Sequence, residues 1–337
     1  MTKEFTNALS SGWNLGNTFD AVSPNEKPTV TEQETAWGNP VTTQAMVQMV
    51  KDAGFDIFRL PVTWFQQMDA AYNVNPAWMA RVQEVADYAL DLDLTVILNI
   101  HHENWHFPSK ENYPKASEIL KKLWQQIATH FKDYSHKLVF EAMNEPRQVG
   151  TPIEWTGGDK ESRQVVMDLN QDFVDVVRAT GGNNATRMLM VPVYAASSDQ
   201  AAMEDFVQPT GENLITSVHA YTPYDFALSD KQECNVWSAD LEKDIDALFD
   251  RIDKCLLQKG MAVIMGECGA RRKGDNAPDR AKWAKYYKTV AKKYGVPCIW
   301  WDNGSMEGPD TSELFGILNR KTMAWEYPEV VDNFLLK

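Results

Sequence analysis

No stretch of 18 consecutive apolar residues occurs in this chain, so no segment reads as a membrane-spanning helix. Low-complexity linkers are missing too, and the 337 residues read as one domain, 1–337, with a substantial core. Basic residues are outnumbered, 33 against 47 acidic, for a net charge of −14. A surface of that sign repels phosphate backbones and anionic lipid, which argues against nucleic-acid and membrane partners. A neutral polymer would be indifferent to it. Cysteine is sparse: Cys234, Cys255, Cys268 and Cys298, with no CxxC spacing. Neither a disulfide framework nor a thiolate zinc site is indicated, and one bridge or buried free thiols are both open. The opening residues MTKEFTNALSSG lack the apolar core of a signal peptide, so the protein is intracellular or a signal has been removed ahead of it. Two glycosylation patterns, Asn184-Ala185-Thr186 and Asn303-Gly304-Ser305, are weak signals, since such triplets arise by chance.

Tryptophan, by contrast, is plentiful at 12 copies. A core needs few of them, whereas flat indole faces suit sugar rings. About half are expected to be ordinary packing. Trp37, Trp64, Trp105, Trp155 and Trp237 fall in loops after strands and are candidates for sugar platforms.

Short apolar runs alternate with longer segments of helical period. Strands are expected at 13–18, 57–61, 95–101, 138–144, 188–192, 215–219, 262–267 and 297–301. Between them, residues 76–92 place Met79, Val82, Val85, Ala86, Ala89 and Leu90 on one helical stripe, and 169–179, 241–257 and 280–294 read similarly. Eight strands separated by helices imply parallel βαβ units and predict an α/β fold, a single (β/α)8 TIM barrel. The rival doubly wound sheet would want a Gly-rich phosphate turn after the first strand, and GWNLGNTFDA is not followed promptly by a helix.

Most of these strands end on a residue capable of chemistry: Asn17, Arg59, Asn99 with His101, Asn144 with Glu145, His219 with Tyr221, Glu267, and Trp301 with Asn303. Barrel topology gathers such ends on one rim. In FRLPV, LNIHH and SVHAY the polar residues recur at period two, so each set points one way, toward the barrel mouth.

Residues 102–106, His-Glu-Asn-Trp-His, spell the H-E-x-x-H pattern of zinc proteases. That chemistry needs a helix, where the i, i+4 spacing aims both imidazoles at one metal. Here the pattern follows a strand by one residue and Pro108 stands just beyond it, so strand and loop are expected and the match is accidental.

Glu145 in FEAMNEPR and Glu267 in VIMGECGA reach the rim from the fourth and seventh strands. Glycoside hydrolysis is the reaction that needs two carboxyls in different states, one protonated for the leaving oxygen and one ionised for attack. Arg59 leaning toward Glu267 would favour its ionised form, and Glu145 would need a raised pKa. Asn144 can donate to the sugar 2-hydroxyl, Tyr221 can align Glu267, and His101 and His219 can bind hydroxyls or orient the carboxylates. Glu141, inside a strand, reads as a structural partner for Arg59. His106, His130 and His136 read as packing or surface residues. A His/Glu metallohydrolase and a sugar-binding barrel without catalysis are the competing classes.

In order along the chain, GWNLGNTFDA, FRLPVTW, NIHHENW, FEAMNEPR, SVHAYTPYDFA, GECGA and WWDNG resemble the endoglucanase branch of glycoside hydrolase family five, over residues 12 to 303. The resemblance implies a retaining endo-β-1,4-glucanase on plant β-glucans, with related xylan or mannan activity as the alternative. It implies no cofactor and no metal. It matches Glu145 to the acid/base and Glu267 to the nucleophile. Arg59, His101, His102, Asn144, His219, Tyr221 and Trp301 match residues around the cleavage subsite, and Asn17 is expected at a neighbouring one. Only one of Trp300 and Trp301 can face inward. Cys268 departs from the Phe common at that position, which should alter packing behind the site more than chemistry. A secreted monomer acting on a β-glucan polysaccharide is the expectation.

Overall fold

Eight parallel strands close on themselves in chain order: Ser11–Leu15 (β1), Ile57–Leu60 (β2), Thr95–Asn99 (β3), Leu138–Glu141 (β4), Leu189–Ser197 (β5), Leu214–His219 (β6), Ala262–Cys268 (β7) and Cys298–Asp302 (β8). β8 pairs back onto β1, Gly12 facing Ile299, and leaves no open edge. The computed structural model describes residues 2–337. The expected (β/α)8 barrel is the one found, and the doubly wound alternative is excluded by closure.

Helices fill the outer ring, among them Gln44–Ala53, Pro76–Asp91, Tyr113–His130, Lys160–Ala179, Ala239–Cys255 and Ala277–Lys293. The first and third of these lie outside the expected set. The Gln44–Ala53 helix starts at a Thr43 side chain accepting from the Met46 amide and ends on Gly54 at φ 101°, a left-handed position that glycine adopts without strain. Tyr113–His130 buries Ile119, Leu120, Leu123, Trp124 and Ile127.

Strand alternation explains the interior. Ile57, Ile97, Val139, Met190, Ile215, Ile264 and Ile299, one from each of β2 to β8, form an apolar floor with Phe5 and Leu9 packed against it. β1 contributes Gly12, where a Cβ would lie 2.8–2.9 Å from Ile299 and Ile57, so only glycine lets the ring close here. Two residues further along, the same side of the strands carries Asn14, Arg59, Asn99, Glu141, Ser217 and Trp301. The residues between, such as Trp13, Phe58, Leu98, Phe140, Val218 and Trp300, pack outward in the helix-facing core. A polar layer thus stands on an apolar floor, and the mouth opens above it.

Several strands end sooner than expected, β3 at Asn99 and β4 at Glu141. Beyond those points the backbone leaves its ladder, with the His101 amide donating to Val62 and the Asn144 amide to Ile100. The asparagine of each glycosylation pattern is buried: the Asn184 amide nitrogen donates to the Ala128 carbonyl at 2.7 Å, and that of Asn303 to the Glu313 carbonyl at 2.6 Å. Neither nitrogen is available in the folded chain. All four cysteines are free.

Candidate active site

Arg59 organises the mouth from below. Wholly buried at the end of β2, it donates through Nε to Glu141 (2.7 Å), through Nη1 to Asn14 (2.9 Å) and Glu267 (2.8 Å), and through Nη2 to Asn144 (2.7 Å). Three strands, β1, β4 and β7, supply those acceptors or lead into them. Glu141 is the structural partner expected of it, held on its other oxygen by Ser217 at 2.8 Å. A buried guanidinium is tolerated because every face of its planar fork meets an acceptor. Asn144 spends its oxygen on Arg59, which leaves its amide N–H free to donate upward.

Glu145 and Glu267 come together. His219 Nδ1 lies 2.8 Å from Glu145 Oε1 and 3.7 Å from Glu267 Oε2, and the three groups present atoms all within 4.8 Å of one another. Tyr221 donates to Glu267 Oε2 at 2.9 Å, as expected. Burial and the charges of Glu267 and Glu145 push the Tyr221 phenol well up, so it remains a donor.

The protonation of the two carboxyls differs from expectation. Burial raises Glu267 above the ordinary carboxylate range, outweighing His219 and Arg59, with the Glu145 charge adding to the rise. At Glu145 burial also favours the neutral form, but the His219 hydrogen bond and the cationic Arg147 outweigh it and hold the carboxyl low. The Arg59–Glu267 contact is therefore real, while the lowering expected from it is overridden by desolvation. Glu145 keeps more exposure, 15% of its side chain against 7% for Glu267.

His101 sits beneath Trp301, their rings parallel and 5.7 Å apart. The inward tryptophan is Trp301; Trp300 faces the helices and donates to the Phe315 carbonyl. His102 stands edge-on to His101 at 4.5 Å and 5.6 Å from the Trp37 ring. Burial lowers both imidazoles, His102 to about 4, so both are neutral. Asn17 takes a left-handed φ of 54° at the rim, its amide held by the carboxylate of Asp20. Of the five loop tryptophans, Trp64, Trp105 and Trp237 are buried packing, while Trp37 and Trp155 are exposed at 40% and 58%. Cys268 packs behind the site, its thiol toward the Ile299 carbonyl.

The segment 102–106 is irregular, not helical. Its Glu103 accepts from the Trp64 amide and the Trp105 indole, both at 2.6 Å, and so ties the loop down. Asp20, His101 and His102 approach closely enough to surround a cation, as do Glu145, His219 and Glu267. His101 in the first group is already hydrogen-bonded. Asn99 accepts from the Val62 amide through its oxygen, so it is its nitrogen that faces His101 Nδ1 at 3.1 Å; the other ring nitrogen then carries the proton and offers no lone pair. His219 has the opposite arrangement, its Nδ1 donating to the Glu145 carboxylate at 2.8 Å. The wiring is that of a hydrogen-bonded acid/base site.

Residues the sequence reading passed over include Asn14 and Asp20, which act by holding others, and Arg147, whose Nη1 is 3.6 Å from Glu145 Oε2. Arg147 is visible in the FEAMNEPR motif, but nothing in the string says that its side chain folds back. Gly266 is a further case: a Cβ there would lie 2.8 Å from His219 Nε2 and displace the ring. Above these groups lies a cleft of about 790 Å³ bounded by Glu145, Trp155, His219, Tyr221, Tyr224 and Glu313.

Residues 22–307 match the family model for cellulase (glycosyl hydrolase family 5). Endoglucanase A of Clostridium longisporum is 45% identical over 336 residues, covering 98% of this chain. The chain spans 64% of that relative's length. Among solved structures, a GH5-4 broad specificity endoglucanase from Ruminococcus champanellensis with bound cellotriose superposes with a TM-score of 0.95 at 43% identity, covering 99% of this chain and 97% of that one. A xyloglucan-specific endo-β-1,4-glucanase from a metagenomic library, in complex with cellotriose, does so at 0.95 and 38% identity, covering 99% and 98%.

Proposed function

The chain belongs to glycosyl hydrolase family 5, and we propose that it is an endo-acting β-1,4-glucanase that cleaves β-glucan chains with retention of configuration. The observation that carries this reading is the convergence of Glu145 and Glu267, with carboxylate oxygens no more than 4.8 Å apart. Retaining enzymes hold their carboxyls about 5–5.5 Å apart, whereas inverting ones leave about 6.5–9.5 Å for a water.

Glu145 gives its proton to the glycosidic oxygen while Glu267 attacks the anomeric carbon. The C–O bond breaks, the reducing-side fragment leaves as an alcohol, and a glycosyl ester forms on Glu267. Glu145, now a carboxylate, takes a proton from water as the water oxygen attacks the same carbon and releases Glu267. Arg59 and Tyr221 hold the attacking carboxylate from beneath and from the side. The free amide N–H of Asn144 is placed for the 2-hydroxyl, and Trp301 over His101 forms a floor for the sugar being cleaved.

In the free enzyme the proton favours Glu267, the reverse of what attack requires. Sugar binding corrects this. It strips water from Glu145, the more exposed carboxyl, while the contacts of Glu267 with Arg59 and Tyr221 are already dry and do not change. The charged form of Glu145 becomes the costlier one, and the proton moves to it.

Exposed Trp155 and Tyr224 line the cleft beside the carboxyls, which suits attack within a chain. The substrates proposed are cellulose, mixed-linkage glucan and xyloglucan, in keeping with the relatives' broad-specificity and xyloglucan-specific names. The test combines initial rates on soluble polysaccharides with NMR of the first-formed anomer. A β product and loss of about several orders of magnitude in Glu267→Gln are expected. An α product, near-normal turnover in that variant, or a rate confined to xylan or mannan would overturn the assignment.

A further inference from the structure

Arg147 has no part in the scheme above, yet it is fastened beside the acid/base from three directions. Its Nη1 donates to the Glu145 carbonyl oxygen at 3.0 Å and stands 3.6 Å from Glu145 Oε2, too far for a hydrogen bond. Its Nε donates to Glu154 Oε1 at 3.0 Å, and Glu154 is itself anchored through Oε2 to the Gly150 amide at 2.8 Å. On its flat side the guanidinium lies 4.1 Å from the centre of the Trp155 ring, whose exposed surface borders the cleft. A surface arginine free to choose would close on the carboxylate and form a bidentate pair. This one is held short of it.

We propose that Arg147 is a positioning residue that sets how readily Glu145 holds its proton, and that Glu154 and Trp155 fix the strength of its influence. This rests on Glu145 being the acid/base. The cation favours the ionised carboxylate, and the counter-charge of Glu154 moderates it. The stacking on Trp155 keeps the guanidinium from swinging in to pair fully, which would trap Glu145 in the state that cannot donate.

Other groups bear on Glu145 as well: His219 from β6, Tyr221 just after it, Glu267 from β7, His102 from the loop after β3 and Glu313 from the loop after β8. All stay in place in the variants that follow. Arg147 and Glu154 take no part in the steps of the scheme above, so each can be changed with it left intact.

The experiment is the pH profile of kcat on a soluble β-glucan, whose alkaline limb follows the acid in the enzyme–substrate complex, where the proton is on Glu145. Removing the cation in Arg147→Gln should move that limb up by half a unit or more. Removing the counter-charge in Glu154→Gln should move it down. Arg147→Lys, which retains the charge, should stay close to the parent, and circular dichroism checks that each variant is folded. A limb that stays put in Arg147→Gln, or that moves the same way in both neutral variants, overturns the proposal, because mere loss of packing has no reason to give opposite signs. Glu145→Gln, assayed on an aryl cellobioside whose leaving group needs no proton, separates the two levels. If that variant still shows the parent's alkaline limb on β-glucan, the acid/base assignment fails and takes this proposal with it. If it behaves as an enzyme without its acid while Arg147→Gln leaves the limb unmoved, the assignment stands and the role of Arg147 is refuted.

Discussion

Replacing Arg59 with Met tests the foundation of the site. The substitution removes the one cation beneath the mouth and leaves Glu141, wholly buried, facing only Ser217. Breaking a buried pair by removing one partner costs about 3–5 kcal/mol, since the remaining charge is uncompensated. An unfolding entropy of about 2.1 cal/mol/K per residue, taken over 337 residues, comes to about 0.7 kcal/mol per degree, so Tm should fall by about 4–7 °C. Glu267 loses its 2.8 Å partner and becomes still harder to ionise, so turnover should collapse as well. The double variant Arg59→Met/Glu141→Met removes both charges and should recover much of the lost stability, yet none of the activity, because Glu267 remains unsupported. Scanning calorimetry and initial rates on a soluble β-glucan measure the two effects separately. A single variant as stable as the parent, or a double variant less stable than the single, would refute the view that this pair is a mutually dependent buried charge cluster.

Tyr221→Phe removes the 2.9 Å hydrogen bond to Glu267 and should lower kcat by about 10- to 100-fold with little change in KM, as expected for a charge-assisted bond of about 1.5–3 kcal/mol; an unchanged kcat would exclude an aligning role. Asp20 is fully buried and pushed up to about 7, chiefly by desolvation. Its folded pKa lies above the unfolded one, so its contribution to stability is complete below about pH 4 and is lost as pH rises through about 7. Asp20→Asn should therefore gain on the parent in urea unfolding between pH 4.5 and 8, by about 4 kcal/mol at most, and a pH-independent difference would contradict the buried neutral carboxyl. Ile97→Ala opens a hole in the barrel floor and should cost about 2–5 kcal/mol, leaving KM for soluble glucan unaltered if floor and mouth are as separable as the layers suggest.

The chain's order of apolar runs and helical stripes was enough to read eight βα units, because strand and helix periods are local properties of the string. The same local alternation placed Arg59, His101 and His219 on inward faces, and the strand–loop context of residues 102–106 ruled out a helical zinc motif. Helix Tyr113–His130 went unread although Ala116, Ile119, Leu120, Leu123, Trp124 and Ile127 keep an unbroken helical stripe; its start, ENYPK, forms no side-chain cap. What pairing over long distances decided was different in kind. Which loop tryptophans are exposed depends on the neighbours that cover them, so Trp64, Trp105 and Trp237 could not be told from Trp37 and Trp155 in advance. The proton balance between Glu145 and Glu267 is a sum over burial and charges from five strands, and it came out opposite to the reading from single residues. Arg147 is two positions from Glu145 in sequence, yet its role follows from Glu154 and Trp155, whose loop must first fold over it. Spacing along a chain is enough to nominate functional groups; their charge states and strengths are properties of the dry, shared space that only closure of the barrel creates.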